Sequence, residues 1–316
     1  MIKNFFKKAI SITLCIVMIL SLVGYSNYPK KSVLKFRPDG TFKIIQFTDL
    51  HLSPKSDSKT IELMNSILDS EKPDLVILTG DNVDGRYCNS SQAVKCISDI
   101  SKPIESRKIH WAVTLGNHDT EHDGIERAEM MRLYSNYKYN VGKVGDYNIL
   151  IKKSNGIGAA FNLYMIDSGS YNLGGYGYIK QEQVSWYLKT ALKLKILYHK
   201  LPSIMFFHIP LQEYKNVSKT LNIIGECNEN ECVQSANTGM FHALVKMNDV
   251  KGVFVGHDHN NDYISKLNGI ILGYGRCTGY DAYSKNNYER GARVFLLNEK
   301  NPSEFKTWIK IYKNIR

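Results

Sequence analysis

None of the six cysteines has a CxxC partner, so a zinc site built from cysteines is not expected. No apolar run reaches the roughly 20 residues that a membrane-spanning helix requires; the longest, residues 9–23, has about fifteen. No basic stripe interleaved with aromatics stands out, so a specific nucleic-acid partner is not indicated. Internal repeats, low-complexity tracts and long linkers are lacking too. What remains is a 316-residue chain, 43% hydrophobic, long enough to bury a substantial core in one domain.

The N-terminus carries the first positive signal. Lys3, Lys7 and Lys8 precede the apolar run, and Gly24 and Ser26 follow it at the spacing a signal peptidase accepts. Residues 1–26 read as a secretory signal, with an uncleaved membrane anchor as the competing reading; residues 27–39 read as a short linker and 40–316 as the domain. Export to the cell surface or beyond is the expected location. Residues 22–24 also look like a lipoprotein signal, but Tyr25 stands where the lipidated cysteine would be, so no lipid is expected. Residues 1–26 hold three lysines and no acid, so their removal lowers the net charge from +11 to +8. That charge implies loose attraction to anionic cell-surface polymers, with the scattered lysines forming a solvated surface. No obligate protein partner is evident. Cys227 with Cys232, and Cys88 with Cys96, are candidate disulfides in an oxidising compartment.

From about residue 40, short apolar runs alternate with helix-like segments. Strands are expected at 42–47, 75–78, 110–115, 163–166, 204–207 and 252–255, and helices at 58–68, 93–100, 125–134, 181–197 and 238–247. Four further strands, at 263–267, 270–274, 293–297 and 305–312, follow as a mostly β layer.

Polar residues repeat at the ends of these strands. Asp49-Leu50-His51 follows the first, Gly80-Asp81 the second and Gly116-Asn117-His118-Asp119 the third, while His208 and Gly256-His257-Asp258-His259 close two later ones. Ligands of open α/β sheets collect outside the carboxyl ends of strands, so these blocks describe one shared site. Imidazole nitrogen with carboxylate oxygen suits zinc, iron or manganese. Two carboxylates, one amide and four imidazoles exceed what one ion needs and suit two, with a carboxylate between them. Gly80, Gly116 and Gly256 are expected to let the backbone turn sharply before each ligand.

The five blocks, in this order and at these intervals, resemble the calcineurin-like metallophosphoesterase superfamily. The resemblance implies a four-layer α/β/β/α sandwich of two mixed sheets. It implies two metal ions (Fe, Mn or Zn), one held by Asp49, His51 and His259, the other by Asn117, His208 and His257, with Asp81 bridging. It further implies that a metal-bridging hydroxide attacks phosphorus, and that His118, oriented by Asp119, stabilises the phosphoryl group or protonates the leaving oxygen. Residues 207–214, 256–262, 275–280 and 291–294 are similar to a branch close to the purple acid phosphatases. In that branch Asn237, Tyr280 and Arg293 lie near the site and are candidate substrate contacts, as is Glu226. Asp84 stands where the purple enzymes have their iron-binding tyrosine, and His51 where they have no histidine, so a purple iron centre is not expected.

The expected substrate is a small phosphate ester, a monoester in preference to a diester. A phosphodiesterase or nuclease acting on nucleotide or lipid head-group substrates is the enzymatic alternative. A metal-binding protein without turnover is the alternative of another class, and the presence of His118 argues against it.

Overall fold

A computed structural model describes residues 33–121, 125–199, 201–217 and 222–312. The expected signal segment and His122 therefore lie outside the described residues. The described residues form one compact unit. Among the described residues, no helix is long and apolar enough to cross a membrane.

The chain runs through β1 (Thr41–Phe47), α1 (Lys59–Glu71), β2 (Leu75–Thr79), α2 (Ser90–Ser106), β3 (His110–Thr114), α3 (Arg127–Ser135), β4 (Tyr147–Lys152) and β5 (Ala159–Met165). A small hairpin, β6 (Tyr171–Asn172) and β7 (Gly175–Tyr176), then leads to α4 (Gln181–Tyr198), β8 (Ser203–Phe206), α5 (Tyr214–Val217), α6 (Met240–Met247) and β9 (Val250–Val255). The chain closes with β10 (Ile264–Leu267), β11 (Ile270–Tyr274), β12 (Gly291–Asn298) and β13 (Phe305–Ile311).

Two mixed sheets result, in the orders β13-β12-β1-β2-β3 and β10-β11-β9-β8-β5-β4. β1, β2 and β3 pair in parallel, as do β5, β8, β9 and β11. The last four strands do not form a layer of their own. β12 and β13 extend the first sheet antiparallel to β1, while β11 joins β9 and carries β10 on the second.

Side-chain alternation along the strands fixes the layers. Phe206 and Phe254 point into the space between the sheets, meeting Phe295 edge-on at 5.5 and 4.6 Å. Their neighbours Met205, Val253 and Val255 point outward into a second core with Val184 and Tyr187 of α4 and Leu244 of α6. The outer face of the first sheet packs against Leu63 and Ile67 of α1, Ile97 and Ile100 of α2 and Met130 of α3. The architecture is the four-layer α/β/β/α sandwich.

Local differences from the sequence reading have identifiable causes. α2 starts at Ser90 because Asn89 and Gln92 form a reciprocal capping box, at 3.0 and 2.9 Å. Residues 33–39, expected as linker, pack onto the domain: Leu34 and Phe36 are buried, and Leu34 O and Phe36 N bond to Lys152. All five described cysteines are free. Cys88 Sγ and Cys96 Sγ are buried 3.9 Å apart, about twice a disulfide's length of ~2.05 Å. Cys227 and Cys232 are held apart by different partners, the former bridging to Asn261, the latter donating its N–H to Asp258.

Candidate metal centre

Seven polar residues converge at the carboxyl ends of five strands. Asp49 and His51 follow β1, Asp81 follows β2, Asn117 follows β3, His208 follows β8, and His257 and His259 follow β9. All seven are buried. Donor atoms of Asp49, His51, Asp81 and His259 lie within 4.8 Å of one another, as do those of Asp81, His208 and His257. Asp81 is common to both groups.

The backbone here is bent by the polar residues themselves. Asp49, His51, Asp81 and His257 all adopt positive φ, at 54°, 48°, 48° and 80°, a region that side chains other than glycine rarely enter and that marks sites held by their surroundings. Ladder-like bonds supply the hold: Asp49 N–H donates to Gly80 O at 3.1 Å and His51 N–H to Asp81 O at 2.9 Å. The glycines act differently from the sequence expectation, since of the three only Gly80 has positive φ. Gly116 and Gly256 make room instead. A Cβ on Gly116 would lie 2.7 Å from Asp81 Cγ and closer still to its Oδ1, and one on Gly256 would lie 2.8 Å from Asp49 Oδ2.

The donor chemistry fits cations. His208 Nδ1 lies 2.9 Å from Thr79 O and His259 Nδ1 lies 3.3 Å from Tyr283 O. A carbonyl only accepts, so Nδ1 carries the proton and Nε2 is the nitrogen turned inward. Those nitrogens face other polar atoms: His208 Nε2 is 3.0 Å from Asp81 Oδ2, and His259 Nε2 is 3.5 Å from Asp49 Oδ1 and 3.2 Å from His51 Nε2. Burial disfavours charge on His208, but Asp81 raises its ring to about 9, a proton that a bound cation would replace. Asn117 Oδ1 is buried without a hydrogen bond, because the Asn117 amide donates its nitrogen to Tyr171 Oη at 2.8 Å and leaves the oxygen turned away. Converging carboxylate, amide and imidazole groups buried together are stabilised by positive charge between them. Burial disfavours charge on Asp49, yet His259 and His208 hold its carboxyl at about 2. Burial, then the charge of His208, drives His257 down to about 3, so its ring is a neutral donor.

A family model described as calcineurin-like phosphoesterase matches residues 42–261, the segment that contains every residue of this cluster. The chain belongs to the calcineurin-like phosphoesterase family. It is 33% identical to the "probable inactive purple acid phosphatase 29" of Arabidopsis thaliana, over 88% of this chain and 84% of the relative. It is 31% identical to the phosphatase DCR2 of Saccharomyces cerevisiae, over 86% of this chain and 54% of the relative. Among solved structures it resembles a dimetal phosphatase from Danio rerio, with a TM-score of 0.56 at 10% identity, over 86% of this chain and 99% of that one.

In this metallophosphoesterase the cluster opens into a cleft of about 320 Å³, walled in part by Arg86, His118, Tyr176 and Tyr283. A larger cavity, about 420 Å³, lies elsewhere and touches none of the cluster residues. Convergent donor atoms, rather than size, mark the smaller one as the site. His118 is half-buried, its ring centroid 5.1 Å from that of His51, and its N–H donates to Asp81 Oδ1 at 2.8 Å.

Asp119 does not orient the His118 ring. Its carboxylate accepts from the backbone N–H groups of Asn82, Val83 and Gly116, at 3.0, 2.9 and 2.8 Å, and so ties the loops after β2 and β3 together. The partner of His118 Nδ1 is Glu121 Oε2, at 2.5 Å. Tyr171 Oη then donates to Glu121 Oε1 at 2.7 Å, so a chain of contacts runs from Asn117 through Tyr171 and Glu121 to His118. Glu121 could have been found from its i+3 spacing to His118 on one helical turn. Nothing in the sequence links position 171 to the site. Asp84 lies with Oδ2 3.5 Å from His51 Nδ1 and grips the Arg86 guanidinium at both oxygens, at 2.9 and 2.7 Å. Tyr283 stacks its ring on His259 at 4.0 Å.

The candidate substrate contacts fare differently. Arg293 is 2% exposed and donates Nε to Tyr274 O at 2.6 Å, Nη1 to Thr307 Oγ1 at 3.1 Å and Nη2 to Asp262 O. All its donating nitrogens are bound to the protein, so it is not a phosphate ligand. Asn237 caps the turn into α6, accepting from Gly239 N–H at 3.0 Å and donating to Glu213 at 2.8 Å. Tyr280 packs on the core beside α1, its N–H donating to Thr60 Oγ1 at 3.0 Å, and is not part of the cleft wall. Glu226 pairs with buried Arg276 at 3.0 Å.

Proposed function

We propose that this chain is a dinuclear-metal phosphoesterase that works outside the cytoplasmic membrane, hydrolysing phosphate monoesters in preference to diesters. The observation that carries the reading is Asp81, a buried carboxylate common to two groups of converging donors. Asp49, His51 and His259 would hold one ion, and Asn117, His208 and His257 the other, with Asp81 between them. Zinc, manganese and iron all suit these donors. When bound, such a pair supplies Lewis-acid activation of water and of the phosphoryl group.

The remaining roles belong to the chain's own groups. His118 faces the open side of the cluster and protonates the leaving oxygen, with Glu121 holding Nδ1 so that Nε2 is the nitrogen presented. Arg86 is the one lysine or arginine among the described residues of the cleft wall. Its placement by Asp84 suits the second negative charge of a monoester, which a diester lacks. Export rests on the charged, apolar N-terminal segment.

A binding protein without turnover is the second reading, favoured by the word "inactive" in the name of the Arabidopsis relative. One experiment separates the two. The chain is reconstituted with each metal and assayed on a panel of monoesters and diesters, beside Asp81→Asn and His118→Ala. Turnover that Asp81→Asn abolishes, and that His118→Ala depresses most for poor leaving groups, is expected. Loss of metal in Asp81→Asn without turnover in any wild-type preparation would establish the binding protein.

A further inference from the structure

The helix α4 has two apolar sides, only one of which faces the core. Val184, Tyr187, Ala191 and Leu194 are buried against the second sheet. On the outer side Leu192, Ile196 and Leu197 are 54%, 71% and 57% exposed. Leu192 and Ile196 are one turn apart and form a ridge. Exposed Lys189, Lys193 and Lys195 interleave with them. The end of α6 lies alongside and adds exposed Val245 and Lys246. Between the two helix ends sits the cavity of about 420 Å³, walled by Lys195, Lys246, Lys251 and His199 among others. Its one carboxylate, Asp249, is already engaged by the hydroxyls of Tyr164 and Tyr187 at 2.9 and 2.5 Å. Glu182, the acid of α4, is a residue of its first turn, at the opposite end of the helix.

An apolar ridge flanked by lysines is the composition of a helix that lies in a lipid interface, with side chains in the acyl boundary and ammonium groups among headgroup phosphates. Self-association would bring these lysines against their own copies around a two-fold axis, which like charge opposes. We propose that this face docks on a membrane containing anionic phospholipid. Leu201 and Pro202 lead into β8, and Asn248 and Asp249 into β9, so the docking face lies at the amino ends of those strands. His208 and His257 lie at their carboxyl ends. Docking therefore holds the metal cleft away from the bilayer, open to soluble esters rather than to the lipids beneath.

The test is co-sedimentation of the full chain with vesicles of phosphatidylcholine alone or mixed with phosphatidylglycerol. Wild type is expected to bind the mixed vesicles and to be released by high salt. Lys195→Gln with Lys246→Gln should lower the partition coefficient about 30-fold, and Leu192→Ser with Ile196→Ser on the order of 100-fold. All four side chains are exposed, so matching circular dichroism and melting temperature verify that the variants fold. Equal binding to both vesicle types, or variants that bind as wild type does, would overturn the proposal. So would sedimentation velocity showing a wild-type dimer that the Leu192→Ser, Ile196→Ser variant dissociates, with no vesicle binding.

Discussion

Gly116→Ala tests whether the site depends on space rather than on glycine's flexibility. Its φ is ordinary, so alanine meets no backbone penalty there. The added methyl, however, would stand 2.7 Å from Asp81 Cγ, where carbon atoms normally approach to about 3.5 Å. Swinging the Asp81 side chain aside would break the bond from His118 N–H to Oδ1 at 2.8 Å and would leave the methyl 2.4 Å from the backbone nitrogen of Asp81. The strand end must move, at a cost of about 3 kcal/mol, and the carboxylate shared by both donor groups moves with it. A melting temperature roughly 5 °C lower and fewer than two metals per chain are expected, by calorimetry and elemental analysis. Gly145→Ala is the counterpart. That glycine has φ +75° and nothing within 4 Å, so alanine costs about 1–2 kcal/mol of backbone strain and leaves metal content unchanged. A Gly116→Ala protein with two metals and the wild-type melting temperature would refute the reasoning, as would metal loss in Gly145→Ala.

Three other outcomes are expected. Tyr171→Phe removes the hydroxyl between Asn117 and Glu121, so metal affinity measured by chelator competition should fall about tenfold, with urea stability nearly unchanged. Arg293→Leu strands the carbonyls of Tyr274 and Asp262, so it should cost about 3 kcal/mol of stability while the metal content of the folded protein stays at the wild-type value. Thiol labelling of the native chain, read by peptide mass spectrometry, should reach Cys227 and Cys232 and spare Cys88, Cys96 and Cys277 until the protein unfolds.

The residues that converge were legible because each sits directly after a recognisable strand, and a parallel sheet gathers such ends at one edge. Asp49, Asp81 and Asn117 needed only that rule, and His208 needed only its place in the series. The supporting groups were not legible for the converse reason. Glu121 and Tyr171 reach His118 and Asn117 across a loop and a hairpin of two-residue strands, too short to leave a period-two pattern. Arg293 misled because an arginine in an apolar strand suits an anion as well as a set of carbonyls, and only the fold shows that Tyr274 and Asp262 present theirs. The glycines misled in the same way: the residue type announces an exception, and the neighbours decide whether it concerns torsion or room.

The cluster draws Asp49, Asp81 and Asn117 from the strands of one sheet and His208, His257 and His259 from those of the other. Neither sheet alone offers a complete binding set, so the ions can be gripped only after the two halves of the sandwich have closed. Metal uptake would then follow closure of the sandwich, and the ions taken up would be those supplied where closure occurs. Because zinc, manganese and iron compete for such donors by supply as much as by affinity, an exported chain would take its cofactor identity from its destination.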